Sequence, residues 1–298
     1  MQEDSHIANI NFMNSEEKAL FCVFDGHGGR EVAIWCSKFY ELILRKDYAE
    51  QGSEDDRKEW LRKSFLNVDV ELQKHETQKY LANLRKDVPP NKSPLIQILE
   101  ASRKQNEEEK KEADDDESME CVGCTANVVY LDKANNKIYV INAGDSRCTM
   151  GRAGKAVEMS IDHKPESQVE IDRITKAGST IVEGRVDGNL NLTRSLGDLK
   201  YKQRENLKPE EQAITANPDV YVFEYSDDID FIIMGCDGIW EKRSNDEMVD
   251  FVYQKMKGGV PLKQIVSDLL LETIAPSVME TQGVGCDNMT CILIKFTK

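Results

Sequence analysis

Short unbroken apolar runs alternate along this chain with stretches in which apolar residues recur every three or four positions. Ala19–Phe24 is apolar throughout and stops at Asp25-Gly26-His27-Gly28-Gly29, the pattern of a strand ending in a turn. Val32, Cys36, Phe39 and Ile43 then follow at helical spacing. Residues 57–84 keep that spacing, with Trp60, Leu61, Phe65, Val68 and Leu72 on one side, until DVPPNKSP breaks the chain. Further on, Thr125–Leu131 and Lys137–Ala143 flank an Asn135-Asn136 turn and read as a hairpin. Met150–Gly154 reads as a second turn. Pro165–Ala177 reads as a short helix with Pro165 in its first turn and Gly178 as its cap. Turn glycines 184 and 188 interrupt Thr180–Leu192.

The last third repeats the alternation. Asp230–Gly235 is a buried strand running into Cys236-Asp237-Gly238-Ile239-Trp240. Ser244 and Glu247 form a capping box for a helix through Met256. Pro261 opens another helix, with Ile265, Val266, Leu269, Leu270 and Ile274 inward. Thr290–Phe296 closes the chain as a strand. Hairpins dominate, helices come in pairs and no regular βαβ alternation occurs, so the pattern predicts α+β with antiparallel sheets.

Composition narrows the function classes. With 39 basic against 54 acidic residues the net charge is −15, which argues against a groove for nucleic acid. Residues 103–120 carry nine acids and four bases and almost nothing apolar, and they read as a solvated, mobile insertion that supplies much of this charge. No apolar run approaches the roughly 18 residues of a transmembrane helix, and the polar start MQEDSHIANI carries no signal-peptide core. The eight cysteines are spread thinly and several lie in apolar runs, which suits free thiols in the cytoplasm or nucleus. Cys121 and Cys124 form a lone C-x-x-C with no second pair to complete a zinc site.

The candidate chemistry lies in carboxylates. Asp25, Asp145, Asp237 and Asp287 each stand at the end of an apolar strand beside a small or turn-forming residue, and Glu3 and Asp4 add two more acids. Singly, each aspartate is a turn former. If the strands are neighbours, the acids converge on one edge, where a cation must offset their repulsion. Oxygen donors without Cys or His favour Mg2+ or Mn2+.

Seven motifs come in order: VFDGHGG (23–29), GCTANVV (123–129), NAGDSR (142–147), DHKP (162–165), TRSLGD (193–198), CDGIW (236–240) and DNMT (287–290). Together they resemble the protein phosphatase 2C family, the metal-dependent protein serine/threonine phosphatases. The resemblance covers the chain from Gln2 to the last strand except the acidic insertion. It implies one catalytic domain over 1–298: a sandwich of two antiparallel β-sheets flanked by helix pairs, with a flap over about 162–215. It also implies two Mg2+ or Mn2+ ions bridged by Asp25, ligated by the Gly26 carbonyl, Asp237 and Asp287, and approached by Glu3 and Asp4 partly through water. Asp145 matches the ligand of a weaker third ion. Glu241 stands where the family often has Asp, and the longer acid leaves that third site in question.

The implied reaction is direct in-line attack of water on phosphoserine or phosphothreonine proteins, with no phosphoenzyme. His27, two residues after Asp25, is assigned as general acid, against the plainer reading that it braces the turn. Arg194 is read equally as a substrate contact or as a structural ion pair. The remaining histidines, 6, 75 and 163, read as structural. The family's phosphate-binding Arg would fall four residues before Glu3, ahead of Met1, so weakened phosphate binding is expected of the 298 residues. The competing reading is a phosphatase-fold binding module with reduced turnover. Other phosphatase chemistries fail on sequence: no cysteine has Arg six positions later, and Asp25-Gly26-His27 lacks the second acid of Asp-x-Asp. A monomer is expected.

Overall fold

The unbroken apolar runs become central strands because both of their faces are covered. The structure, a computed structural model, describes residues 2–46, 48, 52–86, 119–281 and 283–296. The chain begins with β1 (Ser5–Asn9), β2 (Lys18–Phe24) and β3 (Gly26–His27), followed by helices α1 (Glu31–Lys46), α2 (Glu54–Leu72) and α3 (His75–Lys86). Next come β4 (Gly123–Cys124), β5 (Ala126–Asp132), β6 (Lys137–Ala143), β7 (Arg147–Arg152) and β8 (Lys155–Glu158). Helix α4 (Gln168–Lys176), β9 (Ile181–Val182), β10 (Arg185–Val186) and β11 (Leu196–Gly197) precede β12 (Asp219–Glu224) and β13 (Ile229–Gly235). Helices α5 (Asn245–Lys257), α6 (Leu262–Thr273) and the single turn α7 (Val278–Thr281) lead to β14 (Cys291–Lys295).

One sheet has the order β1-β2-β5-β6-β12 and the other β14-β13-β7-β8, with every ladder antiparallel. Strand period two sorts their apolar residues into separate cores. On β2, Phe21 and Val23 enter the core between the sheets, while Leu20, Cys22 and Phe24 pack beneath α1 and α2. On β13, Ile232 and Met234 face the sheet–sheet core, while Phe231 and Ile233 meet Trp240, Met248, Val249, Ile265 and Leu269 beneath α5 and α6. The result is the expected four-layer sandwich, and each such side chain contributes about 1.5–3 kcal/mol by leaving water. Within residues 162–215, Ile174, Val186 and Ile214 form a small core of their own.

Several local expectations change. The helical stretch 57–84 is two helices, because the Gln78 side chain donates to the Leu72 carbonyl at 2.6 Å and ends α2. No Gly or Pro marks that break. The helix expected at Pro165 begins only at Gln168, since Lys164–Ser167 forms a turn with a 3.1 Å backbone hydrogen bond. The second turn narrows to Ala153-Gly154, joining Arg152 and Lys155 of β7 and β8. Ile274, expected inward, caps α6 and is 53% exposed. Ser244 caps α5 as its sequence predicts. Residues 103–118 of the acidic insertion lie outside the described residues. No described helix is long and apolar enough to cross a membrane.

Candidate metal centre

Three chain reversals bring the acids to one end of the sandwich. Asp25 follows β2 of the first sheet, Asp145 lies where β6 crosses to β7 of the second, and Asp237 opens a short turn after β13. The Thr125 amide donates to the Asp25 carbonyl at 2.8 Å, fixing the first reversal. Thr290 clasps Cys236, its amide donating to Cys236 Sγ at 3.1 Å and its carbonyl accepting from the Cys236 amide at 3.2 Å. Gly26 is required by close approach: a Cβ there would sit 2.4 Å from the Glu3 carbonyl oxygen. Its bare Cα lets the amino-terminal acids lie against β3.

Carboxylate oxygens of Asp25, Asp145 and Asp237 come within 4.8 Å of one another, and Asp4 and Asp25 do so together with Cys236 Sγ. Glu3, Gly26, His27 and Asp287 join Asp25, Asp145 and Asp237 around a cavity of about 210 Å3. Asp287 is exposed and lies outside the two tight groups, its carboxylate accepting from the Asn288 amide at 2.7 Å. Asp4 accepts from Thr290 Oγ1 at 2.8 Å through Oδ2, and the Glu3 amide donates to Asn288 Oδ1 at 2.6 Å.

Crowding shows in the acidities. Burial, then Asp237, Asp4, Asp145 and Asp287, pushes Asp25 up to about 10. Burial, then Asp145 and Asp287, pushes Asp237 up to about 7. Glu3 is raised, chiefly by burial. Asp4 Oδ1 is buried with no hydrogen-bond partner. An orphaned carboxylate oxygen beside the raised Asp25 carboxyl, which itself adjoins Asp237, fits a divalent cation that supplies the missing partner and favours the ionised carboxylates. Cys236 Sγ already accepts from Thr290 and donates to the Asn288 carbonyl at 3.3 Å, so the free donors are oxygens, as hard Mg2+ or Mn2+ prefer. Asp145 differs, because its Oδ2 is ion-paired with Lys164 Nζ. Glu241 accepts from the Gly285 amide at 2.5 Å and braces the loop before Asp287.

His27 Nε2 lies 2.7 Å from Asp198 Oδ2. Burial alone would depress this histidine, but the Asp198 carboxylate outweighs it and the net shift is upward. Arg194 occupies the ion-pair alternative: its Nε and Nη2 donate to Glu170 Oε1 at 3.0 and 2.7 Å, and Nη1 donates to Asp219 Oδ1 at 2.8 Å. Buried and so engaged, it has no free edge for a phosphate. His163 accepts from the Gly144 amide at 3.1 Å and stands 3.2 Å from Asp219, a bracing position. Cys121 is exposed and Cys124 buried, and among the described residues neither joins a metal-binding cluster. Asp198 and Asn288 are among the residues whose contacts the sequence did not reveal. Both stand inside recognised motifs, but their partners are about 170 and 285 positions away.

The family model for protein phosphatase 2C matches residues 1–83 and 74–281. A probable protein phosphatase 2C from Oryza sativa subsp. japonica is 38% identical over 307 residues, covering 99% of this chain and 82% of the relative. One from Paramecium tetraurelia is 40% identical over 303 residues, covering 99% and 88%. A crystal structure of a Toxoplasma gondii phosphatase matches the fold with a TM-score of 0.69 at 21% identity, over 99% of this chain and 88% of that one. With the motif order, the carboxylate cage and near-complete matches in agreement, the chain belongs to the protein phosphatase 2C family of protein serine/threonine phosphatases.

Proposed function

We propose that Asp4, Asp25, Asp237 and Asp287, with Glu3 and the Gly26 carbonyl, hold two Mg2+ or Mn2+ ions, and that the chain hydrolyses phosphoserine and phosphothreonine in proteins by direct attack of water. The observation that carries this is the buried, partnerless Asp4 Oδ1 beside an Asp25 carboxyl pushed up to about 10. When bound, such ions would lower the pKa of a coordinated water towards neutrality and offset charge on the phosphoryl oxygens. The residues do the rest. Asp25 and Asp237, reaching the site from different sheets, fix the cage rigidly because each follows a central strand. His27 lines the cavity without belonging to either tight acid group, so it is free to protonate the leaving serine or threonine oxygen. Lys164 supplies the positive charge that Asp145 needs, which favours two ions over three.

The test is hydrolysis of a phosphothreonine peptide in oxygen-18 water, quenched during turnover. The reading expects one labelled oxygen in released phosphate and no phosphorylated protein. Trapped phosphoprotein would refute direct hydrolysis. Asp237→Asn should abolish turnover with Mn2+ present, and wild-type rates from that variant would refute the ligand assignment.

A further inference from the structure

We propose that Asp198 is a positioning residue for His27, accepting from Nε2–H and so presenting Nδ1 to the leaving oxygen. The inference rests on the reading of His27 as general acid. Its basis is the three-stranded sheet β11-β4-β3, in which His27 and Gly197 both pair with Gly123 from opposite sides. Asp198 follows Gly197 directly, in the left-handed region at φ 49°. That conformation is uncommon for a non-glycine residue and persists where the surroundings impose it.

The surroundings do impose it. The Asp198 amide donates to the Val122 carbonyl at 2.9 Å. The preceding Gly197 amide donates to Asp69 at 2.9 Å, and Lys202 joins Asp69 to the Ser195 carbonyl at 2.6 and 2.7 Å. The carboxylate crosses above the bare Cα of Gly123, where a Cβ would lie 2.3 Å from Asp198 Oδ2 and 2.7 Å from His27 Nε2. Its side chain is 1% exposed and takes Ser195 Oγ–H at 2.5 Å as well as His27. Among the described residues no lysine or arginine contacts it, so the histidine is its charged partner. Because a buried carboxylate accepts, Nε2 carries hydrogen, and Nδ1 has no hydrogen-bond partner among the described residues. During turnover the P–O bond breaks, its electron pair stays on the serine or threonine oxygen, and the Nδ1 proton moves there. A neutral ring remains, still held through Nε2–H, until solvent returns the proton.

The experiment compares Asp198→Asn, His27→Ala and the double variant on a phosphothreonine peptide and on p-nitrophenyl phosphate, whose leaving group needs no proton. Asp198→Asn should lower kcat on the peptide about 10–100-fold, a part of the roughly 10²–10⁴-fold that general acid catalysis contributes. KM, calorimetric Mn2+ affinity and the p-nitrophenyl phosphate rate should hold within about twofold. The double variant should be no slower on the peptide than His27→Ala. Equal losses on both substrates, or additive losses in the double variant, would overturn the inference. If His27→Ala is selective and Asp198→Asn is not, positioning alone fails; if His27→Ala itself slows both substrates equally, the general-acid reading fails first. Should Asp198→Asn not fold, Ser195→Ala removes the other hydrogen bond to the carboxylate. It should give a smaller loss with the same selectivity, and an unselective loss would count against the proposal.

Discussion

Replacing Asp25 with Asn should make the metal-free protein more stable while destroying its response to Mn2+. Asp25 stands at about 10 in the fold against an ordinary value of 3.8, first from burial and then from its carboxylate neighbours. The fold therefore keeps a proton that the unfolded chain releases. The stability that this group contributes is complete below about pH 4 and falls as pH rises toward about 10. At pH 7 the loss spans about three pH units, and at about 1.36 kcal/mol per unit it reaches about 4 kcal/mol. Asp237, pushed up to about 7, loses over the narrower window from about pH 4 to about 7. An amide does not titrate there. Asp25→Asn should then raise the metal-free Tm at neutral pH by roughly 10 °C, at about 2–4 °C per kcal/mol. Circular-dichroism melts in excess EDTA, stepped across this pH window, measure the difference directly. Mn2+ at a hundred times its Kd should stabilise the wild type by about 2.7 kcal/mol and leave the variant unmoved. Equal metal-free melts across the window would refute the argument that the crowded carboxylates destabilise the empty fold.

Arg194→Ala should cost about 1.5–3 kcal/mol, because Glu170 Oε1 loses its guanidinium while Arg173 and Thr193 still hold Oε2, and KM at low temperature should stay near wild type; a KM effect without lost stability would return Arg194 to the substrate. Lys164→Met should strengthen Mn2+ binding by calorimetry, since Asp145 loses its tethered cation; unchanged binding would mean the ammonium does not compete with metal. Ser244→Ala should lower stability by about 1 kcal/mol in denaturant melts through loss of the α5 cap, with activity untouched. No loss of stability would show the cap to be idle.

The central strands were legible because Phe21 and Leu20 lie on opposite faces that are both buried, so the run Ala19–Phe24 admits no surface position. The acids at the strand ends were legible too, since Asp25, Asp145 and Asp237 follow apolar runs and Asp287 precedes one. What escaped was whatever depends on distant partners. The break between α2 and α3 rests on a Gln78 side chain, and a glutamine carries no breaker signal. The β11-β4-β3 sheet is built from two-residue strands, too short for any periodicity to register. Arg194 stood undecided between phosphate and ion pair until the positions of Glu170 and Asp219 were known. Lys164 stood only as part of the DHKP motif, and only the fold sets its ammonium on Asp145.

The central claim is that this carboxylate cage hydrolyses phosphoserine and phosphothreonine only when divalent ions fill it. The most direct measurement counts bound Mn2+ by equilibrium dialysis while following phosphate release from a phosphothreonine peptide across the same Mn2+ titration. The account predicts no release in excess EDTA, a rate that rises with bound Mn2+, and a plateau when two ions are bound. Full turnover by the chelated protein, with no Mn2+ bound, would contradict it.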